Sequence, residues 1–172
     1  ELSPSYDIQI STDPTFATIS FGQTIPTSYY IFHDNIFAYD TKYYWRARAI
    51  NQETEGEWSD VWSFTTIVGA PTLNLPESGK SNVPLSTTLE WSGTPGATQY
   101  KVQLSLDQEF SSELILNETQ SANTINASNL LRNSTYYWRV SQFKDCAFGK
   151  WSEAYSFTTI PYPPTRPKLN WP

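Results

Sequence analysis

The sequence is poor in the residues that build most catalytic and metal centres. Its 172 residues include one histidine, one cysteine, no methionine and seven scattered glycines. A lone cysteine excludes an internal disulfide, and one histidine with one cysteine cannot supply the four ligands of a structural zinc site. A Ser-His-Asp or Cys-His arrangement would depend on His33 or Cys146 alone. We therefore predict no catalytic residues, no metal site and no cofactor.

Positive charge and long apolar runs are also scarce. Lys and Arg total 11 against 17 Asp and Glu, which gives a formal net charge of −6. Nucleic-acid binders cluster Lys and Arg against phosphates, so this balance argues against nucleic acid. No stretch approaches the ~20 apolar residues that span a bilayer, and we expect no membrane insertion. The start at Glu1, without Met or a signal peptide, predicts a mature or excised piece of a longer protein.

Aromatic residues and turn signals are abundant instead. Aromatics make up 16% of the chain and twelve prolines punctuate it. Short runs of alternating polarity are separated by turn residues, a pattern typical of an all-β sandwich. The stretch 87–93, TTLEWSG, places Leu89 and Trp91 on one face of a strand. In 100–106 the alternation predicts four inward side chains: Tyr100, Val102, Leu104 and Leu106.

The chain contains an internal repeat with a piece missing. Residues 41–66 align without gaps on 134–159, and 5–16 align on 99–110, so the period is about 93 residues, a domain length. We predict an incomplete domain at 1–67, a complete domain at 68–160, and a linker with the first strand of a third repeat at 161–172. Nothing in the first copy corresponds to 71–99, so two strands are absent and Ile8, Ile10 and Trp45 should be uncovered. Three explanations stay open. The missing strands belong to a longer chain and are cleaved or outside this sequence, they come from another segment or chain, or the incomplete domain is disordered.

The closing strands of each copy carry a specific family resemblance. A Tyr-x-Trp-x-Val strand, a loop, then Trp-Ser and Ser-Phe-Thr-Thr resembles fibronectin type III domains, in particular the bacterial secreted and cell-surface type. The resemblance implies tandem immunoglobulin-like β-sandwiches, the first lacking its two N-terminal strands. It also implies that Tyr43 and Tyr136 are corner tyrosines that hydrogen-bond to the chain entering their strand, and that Trp45 and Trp138 point inward.

The opposite face of these strands is the candidate binding surface. The period of two sends Arg46 and Arg48 outward, and guanidinium groups stacked on Trp58 would form a cation–π ladder. The stretch WSDVWSFTT at 58–66 is close to the Trp-Ser box of cytokine receptors, but its spacing is one residue longer and its copy WSEAYSFTT replaces the second Trp. Trp62 should lie inward or at the rim. Two interpretations stay open: a self-satisfied structural ladder, or an aromatic patch for a sugar or protein. The predicted surface comprises Tyr44, Arg46, Arg48, Trp58, Tyr137, Arg139 and Trp151.

Two further motifs are a recurring aspartate turn and a set of N-glycosylation sequons. The segments STDPTF and SLDQEF recur, so Asp13 and Asp107 are expected to cap turns, with Phe16 and Phe110 filling the core behind them. Three Asn-x-Ser/Thr sequons are N-glycosylation candidates if the chain passes through a glycosylating pathway: Asn117, Asn126 and Asn133.

Together these features predict a non-catalytic, extracellular module rather than an enzyme. We expect a spacer or adhesion-type interaction module of a larger secreted or surface-anchored protein, with a protein or glycan partner. One alternative is an accessory region of a secreted hydrolase or protease. Another is a component held in a larger cell-envelope complex, where strands from another segment or chain complete the first domain.

Overall fold

A computed structural model describes residues 5–32, 36–51, 54–145 and 147–164. The chain divides into two compact units, residues 1–67 and 68–172. His33, Cys146 and the predicted third-repeat strand at 168–172 lie outside the described residues. Nowhere in the described ranges is there a helix long and apolar enough to cross a membrane.

Unit 1 is a single antiparallel sheet of four strands. They are β1 (Ser5–Ser11), β2 (Phe21–Ile25), β3 (Lys42–Ile50) and β4 (Trp62–Thr65), in the order β2-β1-β3-β4. One face is apolar, because inward residues of β1 lie opposite inward residues of its neighbours. Ile10, for example, is paired with Phe21 on one side and with Trp45 on the other.

Unit 2 contains two sheets. Its strands are β5 (Thr72–Leu75), β6 (Lys80–Val83), β7 (Thr87–Ser92), β8 (Gln99–Ser105), β9 (Leu116–Gln120), β10 (Thr124–Ala127), β11 (Thr135–Lys144), β12 (Ala147–Phe148) and β13 (Tyr155–Thr159). One sheet has the order β10-β7-β5. The other runs β6-β13-β11-β8-β9, with β12 on β11 and β6 parallel to β13. The predicted all-β class is therefore confirmed.

The core of unit 2 is formed by the inward faces of its two sheets. Leu89 and Trp91 of β7 and Trp138 and Val140 of β11 are all 0% exposed. Trp91 also packs edge-on against Tyr100, with ring centroids 5.5 Å apart. Complete burial of these large side chains contributes to the hydrophobic stabilisation of this unit.

The corner tyrosine is present in both units. The Tyr43 hydroxyl accepts a hydrogen bond from the Ala38 N–H at 3.0 Å, and Tyr136 accepts one from Leu131 at 2.8 Å. Each contact fixes the chain that enters the long strand, β3 or β11. This prediction from the family resemblance is confirmed in both copies.

Two details of the predicted core are wrong. Leu106 is 47% exposed, because β8 ends at Ser105 and the alternation does not continue into the turn. Ile10 is only 2% exposed although residues 5–32, 36–51 and 54–67 form no second sheet, since Phe21 and Trp45 flank Ile10 on the same face. Ile8 and Trp45, in contrast, are only half-buried as expected.

Candidate functional site: a guanidinium–aromatic ladder

The outward face of unit 1 brings arginines of β3 opposite polar residues of β1. Register places Arg46 across from Gln9 and Arg48 across from Asp7. Directly opposed side chains on one face lie close enough to interact. The ladder therefore begins with two cross-strand pairs that the strand register alone selects.

Arg46 is held by two aromatic rings and one amide. Its guanidinium carbon lies 4.2 Å from the centroid of Phe16 and 4.3 Å from that of Trp58. Its Nε and Nη2 donate to Gln9 Oε1 at 3.0 and 2.8 Å. Both distances to the rings fall within the range of favourable cation–π contact.

Arg48 extends the ladder and adds ion pairs. Its guanidinium carbon lies 4.6 Å from the Trp58 centroid. Nη2 is 2.9 Å from Asp7 Oδ2, and Nη1 contacts Glu55. The hydrogen bond to Asp7 raises the pKa of Arg48, while hydrogen bonds from Thr24 and Arg48 lower the pKa of Asp7. The order of the ladder in unit 1 is thus Phe16, Arg46, Trp58, Arg48.

The Trp-Ser pair explains how Trp58 reaches this position. Ser59 N–H donates to the Ala47 carbonyl at 2.8 Å, and Ser59 Oγ accepts from the Ala47 N–H at 3.1 Å. These two bonds attach the loop to the edge of β3 beside the arginines. The serine therefore positions the tryptophan, which gives the recurring dipeptide a structural reason.

Phe16 and Phe110 each lie at one end of a ladder. Phe16 is buried, at 8% exposed, as the sequence predicts. Phe110 is only partly buried and lies outside the core of unit 2, so the prediction is wrong for Phe110. Each follows an aspartate turn and has a positive φ, 58° for Phe16 and 55° for Phe110. This uncommon left-handed conformation turns each ring onto the outward face, where it meets an arginine. The recurrence of Asp-x-x-Phe was the available signal, but the motif alone does not show that the rings meet the arginines.

Unit 2 repeats the ladder with the same parts. The Arg139 guanidinium carbon is 4.1 Å from the Phe110 centroid and 4.6 Å from that of Trp151. Its Nε donates to Gln103 Oε1 at 2.9 Å. Ser152 attaches to Val140 as Ser59 does to Ala47, with bonds of 2.8 and 3.1 Å. Burial lowers the pKa of Arg139.

The two ladders differ at one cross-strand pair of residues. Ser141 stands where unit 1 has Arg48, and Lys101 stands where it has Asp7. Ser141 is 2% exposed and its Oγ donates to the Gly149 carbonyl at 2.9 Å. The ladder of unit 2 therefore ends at Trp151, without the ion pairs of unit 1.

The predicted surface is only partly brought together. Its members Arg46, Arg48 and Trp58 meet in unit 1, and Arg139 and Trp151 meet in unit 2. Tyr44 instead lies beneath Lys42, whose Nζ is 5.2 Å from the ring centroid, and Tyr137 is half-buried beside the ladder. The sequence missed several ladder members. Cross-strand register reveals Asp7, Gln9 and Gln103, and the ring–guanidinium contacts reveal Phe16 and Phe110.

Both aspartate turns are confirmed. The Asp107 carboxylate accepts from Glu109 N–H at 3.0 Å, Ser111 N–H at 2.8 Å and Ser111 Oγ at 2.6 Å. These donors hold the pKa of Asp107 far below its ordinary value. Backbone and hydroxyl bonds from Thr15 likewise lower the pKa of Asp13. Both carboxylates are thus occupied with their own turns.

The remaining candidate positions are exposed. Among the described residues, no group of three or more His, Cys, Asp and Glu is placed to hold a metal ion. The three sequon asparagines are all exposed: Asn117 on β9, Asn126 on β10, and Asn133 before β11. Their glycosylation stays a prediction.

Chemically, the ladder stabilises the outward face of each sheet. Stacking occupies guanidinium surface, and Gln9 and Gln103 take hydrogen bonds that a ligand would otherwise receive. Exposed cation–π contacts contribute about 0.5–1 kcal/mol each and more when water is excluded.

Comparison with known proteins gives neighbours at the level of the fold. No protein-family model and no curated protein matches the chain. The crystal structure of chicken CNTN1 FN1-FN3 domains is similar over 92% of this chain and 57% of the CNTN1 chain, at 18% sequence identity and a TM-score of 0.45. The chain thus spans a little over half of that structure.

Two single domains match in the same way. The fn3 domain of human collagen alpha-1(XX) chain covers 57% of this chain and 90% of its own length, at 18% identity and a TM-score of 0.45. The 6th fibronectin type III domain of human fibronectin type III domain containing protein 3 covers 58% and 90%, at 14% identity and 0.42. At these TM-scores, the fold assignment rests on the strands and registers described above.

Proposed function

We propose that the chain is a non-catalytic, extracellular module of the spacer or adhesion type, belonging to a larger secreted or surface-anchored protein. The observation that carries the proposal is the repeated ladder. In both units an arginine stacks on two rings while a glutamine takes its hydrogen bonds. A polar face stabilised in the same way in successive copies suits a repeated structural element.

The ladder supports a structural role more than ligand capture. A sugar or peptide that stacked on Trp151 would compete with Arg139 for the ring, and one that bonded Arg139 would compete with Gln103. Because displacing such contacts costs free energy, a ligand would have to replace them with equally good ones. Spacing is therefore the proposed role of this face.

The test combines stability and binding in one pair of variants. Trp151→Ala removes a ring of the ladder, and Tyr137→Ala removes an aromatic side chain on the same outward face but outside the ladder. We expect Trp151→Ala to lower the unfolding temperature of unit 2 and to leave adsorption to a panel of immobilised glycans and extracellular-matrix proteins unchanged. If Trp151→Ala abolishes adsorption to one panel member at full thermal stability, the face is a ligand site and the spacer proposal fails.

The accessory-region alternative makes a different prediction. It requires a catalytic domain encoded in the same reading frame, with this chain improving action on an insoluble substrate. Sequencing across the frame, followed by comparing hydrolysis with and without the module, separates it from a spacer.

A further inference from the structure

The inward face of unit 1 is an open apolar groove. It has a volume of about 700 Å³ and is lined by both strand and loop residues. Trp62 on β4 is 65% exposed and Tyr29 beside the groove is 67% exposed. The strand residues that line the groove are Tyr6, Ile8, Ile10, Ile25, Trp45, Ala47, Trp62 and Phe64. Contiguous exposed apolar surface of this kind marks a binding surface.

Unit 2 shows what covers the same face when it is complete. Phe157, the counterpart of Phe64, is 0% exposed, whereas Phe64 is 37% exposed. Trp138, the counterpart of the half-buried Trp45, is also 0% exposed. The cover is the sheet β10-β7-β5, of which β5 and β7 fall within residues 72–92.

Residues 72–92 also satisfy a strand edge. Their middle strand, β6, pairs in parallel with β13 through Phe157–Lys80 and Thr159–Val83. The corresponding strand of unit 1 is β4, and among residues 5–32, 36–51 and 54–67 it is paired only with β3. The outer edge of β4 therefore has backbone groups available for a strand like β6.

The third feature of unit 1 is the segment that aligns with β10, the strand that pairs with β7 in unit 2. In unit 2, β10 pairs with β7 through Thr124–Glu90 and Ile125–Leu89. The aligned residues Ile31 and Phe32 form no strand, and Phe32 instead packs against Phe21 at 5.0 Å. A strand needs a neighbour for its hydrogen bonds, so the absence of a β7 equivalent accounts for this loop conformation.

We propose that the open face of unit 1 binds a polypeptide segment with the strand pattern of residues 72–92, joined to β1 at Ser5. The segment would contribute three elements: a strand packed on the groove, a short parallel strand on the outer edge of β4, and a Leu-x-Trp strand paired with residues 31–32. In unit 2, β7 continues into β8 through residues 93–98, and the same connection brings the segment to Ser5. The inference goes beyond the proposed function, because it does not depend on what either unit binds.

A second copy of the chain fits the groove less well. Two unit 1 sheets packed face to face would bury Trp62 and Phe64. They would leave the outer edge of β4 without a parallel partner and residues 31–32 without a strand. A segment of the 72–92 type satisfies all three features at once, and the joined form avoids the entropy cost of bimolecular association.

The experiment grafts the segment from the chain's own second copy. Residues 71–98 replace residues 1–4 of the chain and lead directly into Ser5, and hydrogen exchange is followed separately for unit 1 and unit 2. We expect exchange of the β1 and β3 amides to slow by about 100-fold or more, with exchange of the Trp62 indole N–H, resolved by NMR, slowing as well. The control carries Leu89→Asp and Trp91→Asp in the grafted copy only, and should leave unit 1 unchanged.

Three outcomes would overturn the proposal. The first is unit 1 exchange that does not slow with the graft while unit 2 keeps its protection. The second is equal protection of the ungrafted chain by the free 71–98 peptide at the same molar concentration, which makes the occupant a separate polypeptide. The third is protection of Trp62 in the ungrafted chain that rises with protein concentration alongside a dimer, which makes the occupant a second copy. The spacer proposal survives each of them, because its test uses unit 2 variants.

Discussion

Units 1 and 2 share the outward face of their sheets but differ in the inward face. Arg46 and Arg139 have nearly identical surroundings, with rings at 4.1–4.6 Å and a glutamine on the neighbouring strand. Yet Trp138 is fully buried while Trp45 is only half-buried. The outward face is built by strands that both copies possess, whereas a second sheet covers the inward face only in unit 2 among the described residues. Local register is therefore sufficient for the ladder but not for the core.

The largest expected effect tests the difference between the cores of the two units. Trp138→Ala should destabilise unit 2 by about 3–5 kcal/mol, because it removes a fully buried ring and leaves a cavity. Trp45→Ala should cost unit 1 only about 1–2 kcal/mol, since its ring already contacts water. Denaturant unfolding followed by hydrogen exchange in each unit measures both. Equal losses would show that unit 1 has a closed core.

An intermediate effect tests whether the ladder is a coupled structure. In a double-mutant cycle, Phe110→Ala and Arg139→Ala should show a coupling of about 0.5–2 kcal/mol, because the ring and the guanidinium stabilise unit 2 together. The Phe16 and Arg46 cycle should give the same sign in unit 1. A cycle between Arg139 and the exposed Leu131 serves as the control and should be additive. Additivity in the Phe110 cycle as well would show that stacking contributes nothing.

The smallest effect concerns acid. The pKa of Asp107 is lowered in the folded chain by Ser111 and Glu109, so its carboxylate stabilises unit 2 fully above the unfolded value of about 3.9. That stabilisation is lost as the pH falls below this value towards the lower folded pKa. Asp107→Asn should therefore destabilise unit 2 at pH 7 and flatten its stability between about pH 4 and pH 2.

The control for the acid prediction lies in the other unit. Asp13→Asn should have a weaker effect on unit 1, because Asp13 accepts bonds from Thr15 and Ala17 whereas Asp107 accepts bonds from Glu109, Ser111 and Ser112. Thermal melts between pH 2 and pH 7 measure both variants. An unchanged pH profile for Asp107→Asn would contradict a role for the carboxylate in the turn.

Much of the fold followed from alternation, and its failures are local. Leu89 and Trp91 were placed inward correctly, since strand side chains alternate and apolar ones bury together. The inward position of Trp138 was implied by the family resemblance and is also confirmed. Alternation placed Leu106 wrongly because the strand ends at Ser105. Phe110 was expected in the core behind the Asp107 turn, but its ring lies against Arg139 on the outward face. A turn resets the alternation, and the positive φ of Phe110 has no signature in hydrophobic pattern.

The sequence predicted only part of the ladder. Arg46 and Trp58 were recognised as a stacking pair, because their residue types and outward phase are visible in the sequence. Gln9 and Phe16 were not, because their proximity to Arg46 depends on how β1 pairs with β3 and on the turn after β1. Tyr44 and Tyr137 were included in the predicted surface only because strand alternation places them on the outward face. Alternation does not specify how far a side chain lies from the ladder.

The sequence by itself determined that this chain is all-β, that its second half repeats its first, and that the first copy lacks strands, since period and repetition are linear properties. Only the tertiary structure decided which rings stack on which arginines, and that residues 31–32 form no strand without a β7 equivalent. Those outcomes depend on cross-strand register and on the presence of pairing partners. Both are properties of strands brought together rather than of any one stretch of sequence.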